Sequence, residues 1–151
     1  MAVAPIPAGY HTVTPYLIVD GAAKAIDFYK KAFDAEELFR LPMPNDKIAH
    51  AEVKIGDSPI MLADEMENFR GPHAHGGTPV SLMIYVKDVD RVFKQALAAG
   101  GKEQRPVADQ FYGDRCGTLV DPFGHIWSVA THVEDVSPEE IDRRYAKMMP
   151  A

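Results

Sequence analysis

His50 and Glu52 stand two residues apart in the run Ile48-Ala49-His50-Ala51-Glu52-Val53-Lys54-Ile55. On an extended strand, residues i and i+2 share a face, so the imidazole and carboxylate point the same way, opposite Ala51, Val53 and Ile55. Such a pair can exchange protons as acid and base, or form the nucleus of a metal site. The ordinary reading is a solvated polar strand face. His73-Ala74-His75 also has a spacing able to grip a metal, but it lies in the Gly- and Pro-rich stretch 71–79 with no third ligand nearby.

Tyr112 and Arg115 fall on a loop leading into a strand, where a rigid scaffold commonly presents binding groups. Arg115 is able to clamp a carboxylate or phosphate through two parallel N–H donors, or to pair structurally with Asp114, Asp121 or Glu52. Cys116 is the single cysteine, so no intrachain disulfide or multi-cysteine zinc site forms, and a packed, inert thiol is the default. His125 borders the turn Asp121-Pro122-Phe123-Gly124 and reads as a hydrogen-bonded structural histidine. That turn has the Asp, Pro and Gly positions of a type I β-turn.

The elements that carry these residues repeat. A strand over 14–19 leads to a helix over 22–33, with Ala25, Ile26, Tyr29 and Phe33 at helical spacing and Asp20 as its expected cap. Strands follow at 36–41, 48–55 and 59–64, the last two joined by Gly56-Asp57. The order then recurs: a strand at 80–86, a helix at 89–99 capped by Asp88 and ended by Gly100-Gly101, and strands at 103–107, 117–120 and 125–131. Val19 falls on Val86, Met61 on Ser128 and Thr14 on Ser81 at one common offset, which points to duplication. Ser137-Pro138-Glu139-Glu140 opens a last helix over 137–149 as a capping box, and Ile141, Tyr145 and Met148 give it an apolar stripe for docking.

The expected fold is α+β: one domain over 1–151, with module 1 at about 10–68 and module 2 at about 79–132. The two tandem βαβββ modules build a curved eight-stranded mixed sheet, a cup, with helices on its convex side. Alternation assigns Leu17, Val19, Ile60, Leu62, Leu82, Ile84, Val86, Trp127 and Val129 to the helix side. Tyr16, Ile18, Ala63, Met83, Tyr85, Ile126 and Ala130 fall on the cup side with Thr14, Met61, Ser81 and Ser128, a mixture suited to an organic ligand.

Composition narrows the function classes. The 151 residues are 46% hydrophobic and 25% charged, with a formal net charge of −6. These values suit a soluble globular domain and argue against a nucleic-acid partner, which requires clustered Lys and Arg. No run approaches the roughly 20 apolar residues of a membrane span, and the N-terminal segment reads as a short flexible arm rather than an export signal. The expectation is a cytoplasmic protein with no membrane partner.

The stretches Pro15–Ala22, Ala25–Phe33, His50–Ser58, Tyr85–Asp90, Tyr112–Arg115, Asp121–Trp127 and Thr131–Glu140 together resemble the vicinal oxygen chelate superfamily, the glyoxalase and bleomycin-resistance fold, in its PhnB-like branch. The resemblance implies the two-module cup and a homodimer with cups at or near the subunit interface. Metal-dependent members hold a divalent ion at positions that register here with Thr14, Met61, Ser81 and Ser128. None of these is a good ligand for such an ion.

The resemblance therefore favours metal-independent binding or sequestration of a small organic molecule. The expected lining is Thr14, Tyr16, Met61, Ser81, Met83, Tyr85, Tyr112, Arg115 and Ser128, with no cofactor. The alternatives are a lyase, isomerase or dioxygenase with a relocated metal at His50 and Glu52, and a non-enzymatic assembly or regulatory partner. A methyltransferase has no support, since no glycine-rich loop follows a strand to hold an adenosyl cofactor.

Overall fold

Ala25, Ile26, Tyr29 and Phe33 form the buried stripe of α1 (Ala22–Phe33) in the computed structural model, which describes residues 2–151. Gly21, not Asp20, is the N-cap; it adopts a left-handed backbone (φ 106°) and, as a glycine, has no side chain to cap with. Asp64 supplies one from across the sheet. Its Oδ1 accepts the N–H groups of Gly21 and Ala22 at 2.8 and 2.9 Å, and its Oδ2 accepts that of Ile48 at 2.7 Å. A buried carboxylate at a helix N-terminus is favoured by the helix dipole as well as by these bonds.

The first module continues with β1 (Tyr16–Val19), β2 (Glu36–Pro42), β3 (Ile48–Ile55) and β4 (Ser58–Asp64). The second holds β5 (Ser81–Tyr85), α2 (Val89–Ala98), β6 (Lys102–Asp109), β7 (Asp114–Val120) and β8 (Ile126–His132). α2 is capped as expected by Asp88, which accepts the Arg91 N–H. Each module makes one four-stranded sheet, in the orders β1-β4-β3-β2 and β5-β8-β7-β6, with the first and last strands parallel and the others antiparallel. The duplicated order is thus realised twice over.

The eight strands do not join into one hydrogen-bonded sheet. β1 and β5 each lie at an edge of their own sheet, unpaired with one another. The modules meet through α1 and α2 and through an aromatic cluster in which Trp127 lies 5.3 Å from Tyr29 and 4.8 Å from Phe33 between ring centroids. A groove of about 760 Å³ runs between the modules, and Pro15, Phe33, Leu82, Ile84 and Trp127 are among its walls. Leu82, Ile84 and Val86 line this groove and are only partly buried, while Leu17, Val19, Ile60, Leu62, Trp127 and Val129 are buried as expected.

β1 starts at Tyr16 rather than Thr14, although the Pro15 carbonyl still accepts the Met61 N–H at 2.9 Å. β7 begins three residues earlier than its pattern suggests, because Asp114 to Cys116 pair with His132 to Ala130. Of the cup-side set, Ala63 and Ala130 are buried, their methyls lying beside larger register partners, Ile18 for one and Tyr85 for the other.

The last helix, α3 (Pro138–Met148), is capped by Ser137, which accepts the Glu140 N–H at 3.2 Å. The Glu140 carboxylate turns to Arg143 and Arg144, so only half of the capping box forms. No residue of α3 is buried. It touches module 2 through Tyr145 beside Phe111 and through Arg144, which bonds the Phe111 carbonyl and Glu134. Among the described residues, no helix is long and apolar enough to cross a membrane.

Candidate ligand cleft and a hydrogen-bonded tetrad

β3 alternates buried Ala51, Val53 and Ile55 with half-buried His50 and Glu52, so the pair shares the face turned away from α1. Its polar atoms are not left to solvent. The Tyr16 hydroxyl, from β1, lies 2.8 Å from His50 Nδ1, and His50 Nε2 lies 3.0 Å from Glu52 Oε1. Tyr10, from the N-terminal arm, donates its hydroxyl to Glu52 Oε2. The arm is therefore laid on the sheet at this point, and His11 Nε2 adds a contact to the Asp57 carbonyl at 3.2 Å. The result is a continuous Tyr16–His50–Glu52–Tyr10 chain.

The hydrogen bonds from Tyr10 and His50 hold the Glu52 carboxyl below its usual range. Burial, reinforced by Glu52, pushes Tyr10 up to about 12 and raises Tyr16. Both phenols therefore stay protonated near neutral pH. An ionised carboxylate accepts only, so in the neutral imidazole the His50 proton sits on Nε2, and Nδ1 is then the acceptor for the Tyr16 hydroxyl.

Beside this chain, a cleft of about 510 Å³ is lined by Tyr16, Ile18, Ala49, Ala63, Asp64, Met66 and Phe69. Met66 and Phe69 come from a tight turn after β4, closed by reciprocal backbone bonds at 2.9 and 3.0 Å. Asp64 adds little polarity, since both its oxygens are taken by backbone donors. The walls are otherwise apolar.

Module 2 carries a second network. Asp114, buried, accepts from the Tyr85 hydroxyl and from His132 Nδ1, both at 2.8 Å, and His132 Nε2 meets Asp135 at 2.8 Å. These bonds raise the His132 pKa, with Asp114 the larger cause, and burial raises the Cys116 thiol.

The lining residues expected from sequence are divided by the fold. Tyr16 lines the cleft, whereas Met83 and Tyr85 line the groove between the modules. Thr14, Met61, Ser81, Tyr112, Arg115 and Ser128 line neither of these cavities. Arg115 lies on the helix side of β7, the side on which a Cβ at Gly117 would meet the Phe93 ring of α2. It binds Asp90 through two 2.9 Å bonds and Asp109 at 3.2 Å, not Asp114, Asp121 or Glu52.

His73 Nε2, in the loop between the modules, meets the Pro122 carbonyl of the second at 3.0 Å, and His125 Nε2 meets the Ile18 carbonyl at 2.9 Å and so ties the second module to the first. His75 is exposed. Tyr10, Met66 and Phe69 were not legible as site residues. They lie in stretches without periodicity, and only the chain path brings them to the cleft.

Residues 10–129 match the Glyoxalase/Bleomycin resistance protein/Dioxygenase superfamily. The chain belongs to this superfamily. An uncharacterised protein of Mycobacterium bovis is 46% identical over 134 residues, spanning 85% of this chain and 88% of its own. A solved Pseudomonas aeruginosa protein superposes with a TM-score of 0.67 at 27% identity, covering 82% of this chain and 99% of that one. The PhnB protein of Bacillus cereus shares the fold, with a TM-score of 0.64 at 22% identity and coverage of 80% and 99%.

Metal-dependent members of the glyoxalase superfamily imply a divalent ion, and the donors of this chain do not fit one. Thr14 Oγ1 bonds the His11 carbonyl at 3.4 Å, and Ser128 and Thr118 bond each other at 3.0 Å. Met61 offers only a thioether, and Ser81 a hydroxyl at the start of an edge strand. Among the described residues, no three His, Cys, Asp or Glu side chains are arranged to hold a metal ion. His50 and Glu52 already spend both ring nitrogens and both carboxylate oxygens on each other and on the two tyrosines.

Proposed function

We propose that this protein binds a small, flat organic molecule in the cleft of its first module, without a metal ion, and so withdraws it from solution. The observation that carries this reading is the cleft itself, of about 510 Å³, with Tyr16, Ile18, Ala63, Met66 and Phe69 around one polar edge. That size and that mixture suit a small organic ligand, and Met and aromatic walls adapt to its shape. Phe69, 61% exposed, stands at the rim as a ring against which a planar guest can stack.

A homodimer is supported by exposed apolar side chains outside the cleft, Leu38, Phe39 and Leu41 of β2 and Met83 and Tyr85 of β5, which a second copy would cover. A cytoplasmic setting accords with the lone buried thiol.

The test is a calorimetric screen of planar aromatic compounds on protein whose metal content has been measured by mass spectrometry. Saturable binding that survives EDTA and is lost in Phe69→Ala supports the proposal. Stoichiometric metal, or binding abolished by the chelator, overturns it. Light scattering on the eluting protein reads the oligomeric state.

A further inference from the structure

We propose that Tyr16, His50 and Glu52 form a proton-accepting triad, which binds a weakly acidic phenolic or enolic hydroxyl of the ligand as its anion. The inference rests on the cleft reading above and names the chemical class of the guest. Tyr16 belongs both to the cleft wall and to the chain of hydrogen bonds. Because its own proton points at His50 Nδ1, its phenolic oxygen is left as an acceptor. A ligand hydroxyl in the cleft can therefore donate to Tyr16, whereas a ligand offering only acceptors leaves that oxygen unpaired.

The proton step balances within the triad. The ligand O–H bond breaks as its proton passes to the Tyr16 oxygen, the Tyr16 O–H bond breaks as that proton passes to His50 Nδ1, and the phenol re-forms. His50 becomes an imidazolium whose Nε2–H stays on the Glu52 carboxylate, 3.0 Å away. The neutral ligand has become an anion, with no electron transferred and no co-reactant needed.

Desolvation in the cleft opposes a bare anion, and the imidazolium held by Glu52 offsets that cost. Around His50 stand Tyr16 from β1, Phe39 from β2 and Glu52 from its own strand, with Tyr10 behind Glu52. Among the described residues, no lysine or arginine bonds to the chain that could take over the role. The other ionisable group of the cleft, Asp64, has both oxygens engaged by backbone N–H groups.

The experiment compares para-nitrophenol with para-nitroanisole, which has the same ring and no acidic proton, on the full chain in EDTA. The phenolate band of para-nitrophenol reports its ionisation when bound. The expected result is that both probes bind and that bound para-nitrophenol ionises at least about tenfold more readily than free, about one pH unit lower. His50→Gln and Tyr16→Phe should each abolish that shift while still binding para-nitroanisole, which shows that the cleft is intact.

If both probes bind but para-nitrophenol ionises at or above its free midpoint, the triad is wrong and the cleft stands. A lowered midpoint that persists in both variants assigns the effect to another group and also overturns the triad. If neither probe binds, the cleft reading fails for aromatic guests and the triad falls with it.

Discussion

The Tyr29 hydroxyl donates to Asp121 Oδ2 at 2.7 Å, tying α1 of the first module to the turn before β8 in the second. The same carboxylate accepts from Trp127 Nε1 at 2.9 Å and, through Oδ1, from the N–H groups of Phe123 and His125. One buried side chain thus organises the Asp-Pro-Phe-Gly turn and the contact between modules. Tyr29→Phe should cost about 1–3 kcal/mol in urea denaturation, since it leaves a buried acceptor short of a donor. Asp121→Ala should cost about 3 kcal/mol or more, because four donors lose their partner together.

Asp64 has the corresponding duty in module 1, where it caps α1 and fixes Ile48 at the start of β3. Asp64→Ala is expected to lower stability by about 2–4 kcal/mol. It should also speed amide exchange at Gly21, Ala22 and Ile48. Unchanged exchange at those three amides would show that the cap is not the cause.

Gly113 holds φ +105°, and a Cβ there would overlap the Glu134 carbonyl, while its own carbonyl accepts from Val133 and Glu134. Gly113→Ala should therefore cost about 2 kcal/mol or more. The change should loosen the stretch 111–136, which limited proteolysis would reveal.

His132 sets a pH dependence whose sign follows from its raised pKa. A group that binds its proton more tightly when folded contributes stability that is complete below its ordinary 6.5 and is lost as pH rises through the folded value. Melting temperature should fall over that window in the native chain. His132→Gln should flatten the fall, with the two curves furthest apart on the acid side.

Arg115→Ala distinguishes a structural from a binding role. Its partners, Asp90 and Asp109, lie on the helix side, so ligand affinity should be unchanged while the melting temperature drops slightly. A loss of affinity at constant stability would place a ligand at Arg115.

The repeat and the two faces of each strand were legible because periodicity is a local property. Apolar residues at helical spacing bound α1 at its observed ends, and strict alternation placed His50 and Glu52 on one face of β3. The Asp88 and Ser137 caps were legible for the same reason, since each side chain bonds a backbone group three residues on. Where a polar group finds its partner far along the chain, sequence reading failed. Asp20 was the nearest candidate for the α1 cap, yet Asp64 holds the position because β4 runs parallel to β1 and delivers its last residue to the helix start.

By itself, then, the sequence determined two βαβββ modules and their strand faces, for which local spacing and side-chain chemistry suffice. The resemblance to the superfamily, not spacing, implied that the usual metal positions are filled by hydroxyls and a thioether. Only the tertiary structure decided that the modules keep separate sheets, that Arg115 turns toward α2, and that Tyr10 and Tyr16 complete a chain through His50 and Glu52. Those outcomes depend on which distant donors and acceptors arrive within about 3 Å of one another, a distance that hydrogen bonding requires and spacing along a chain does not encode.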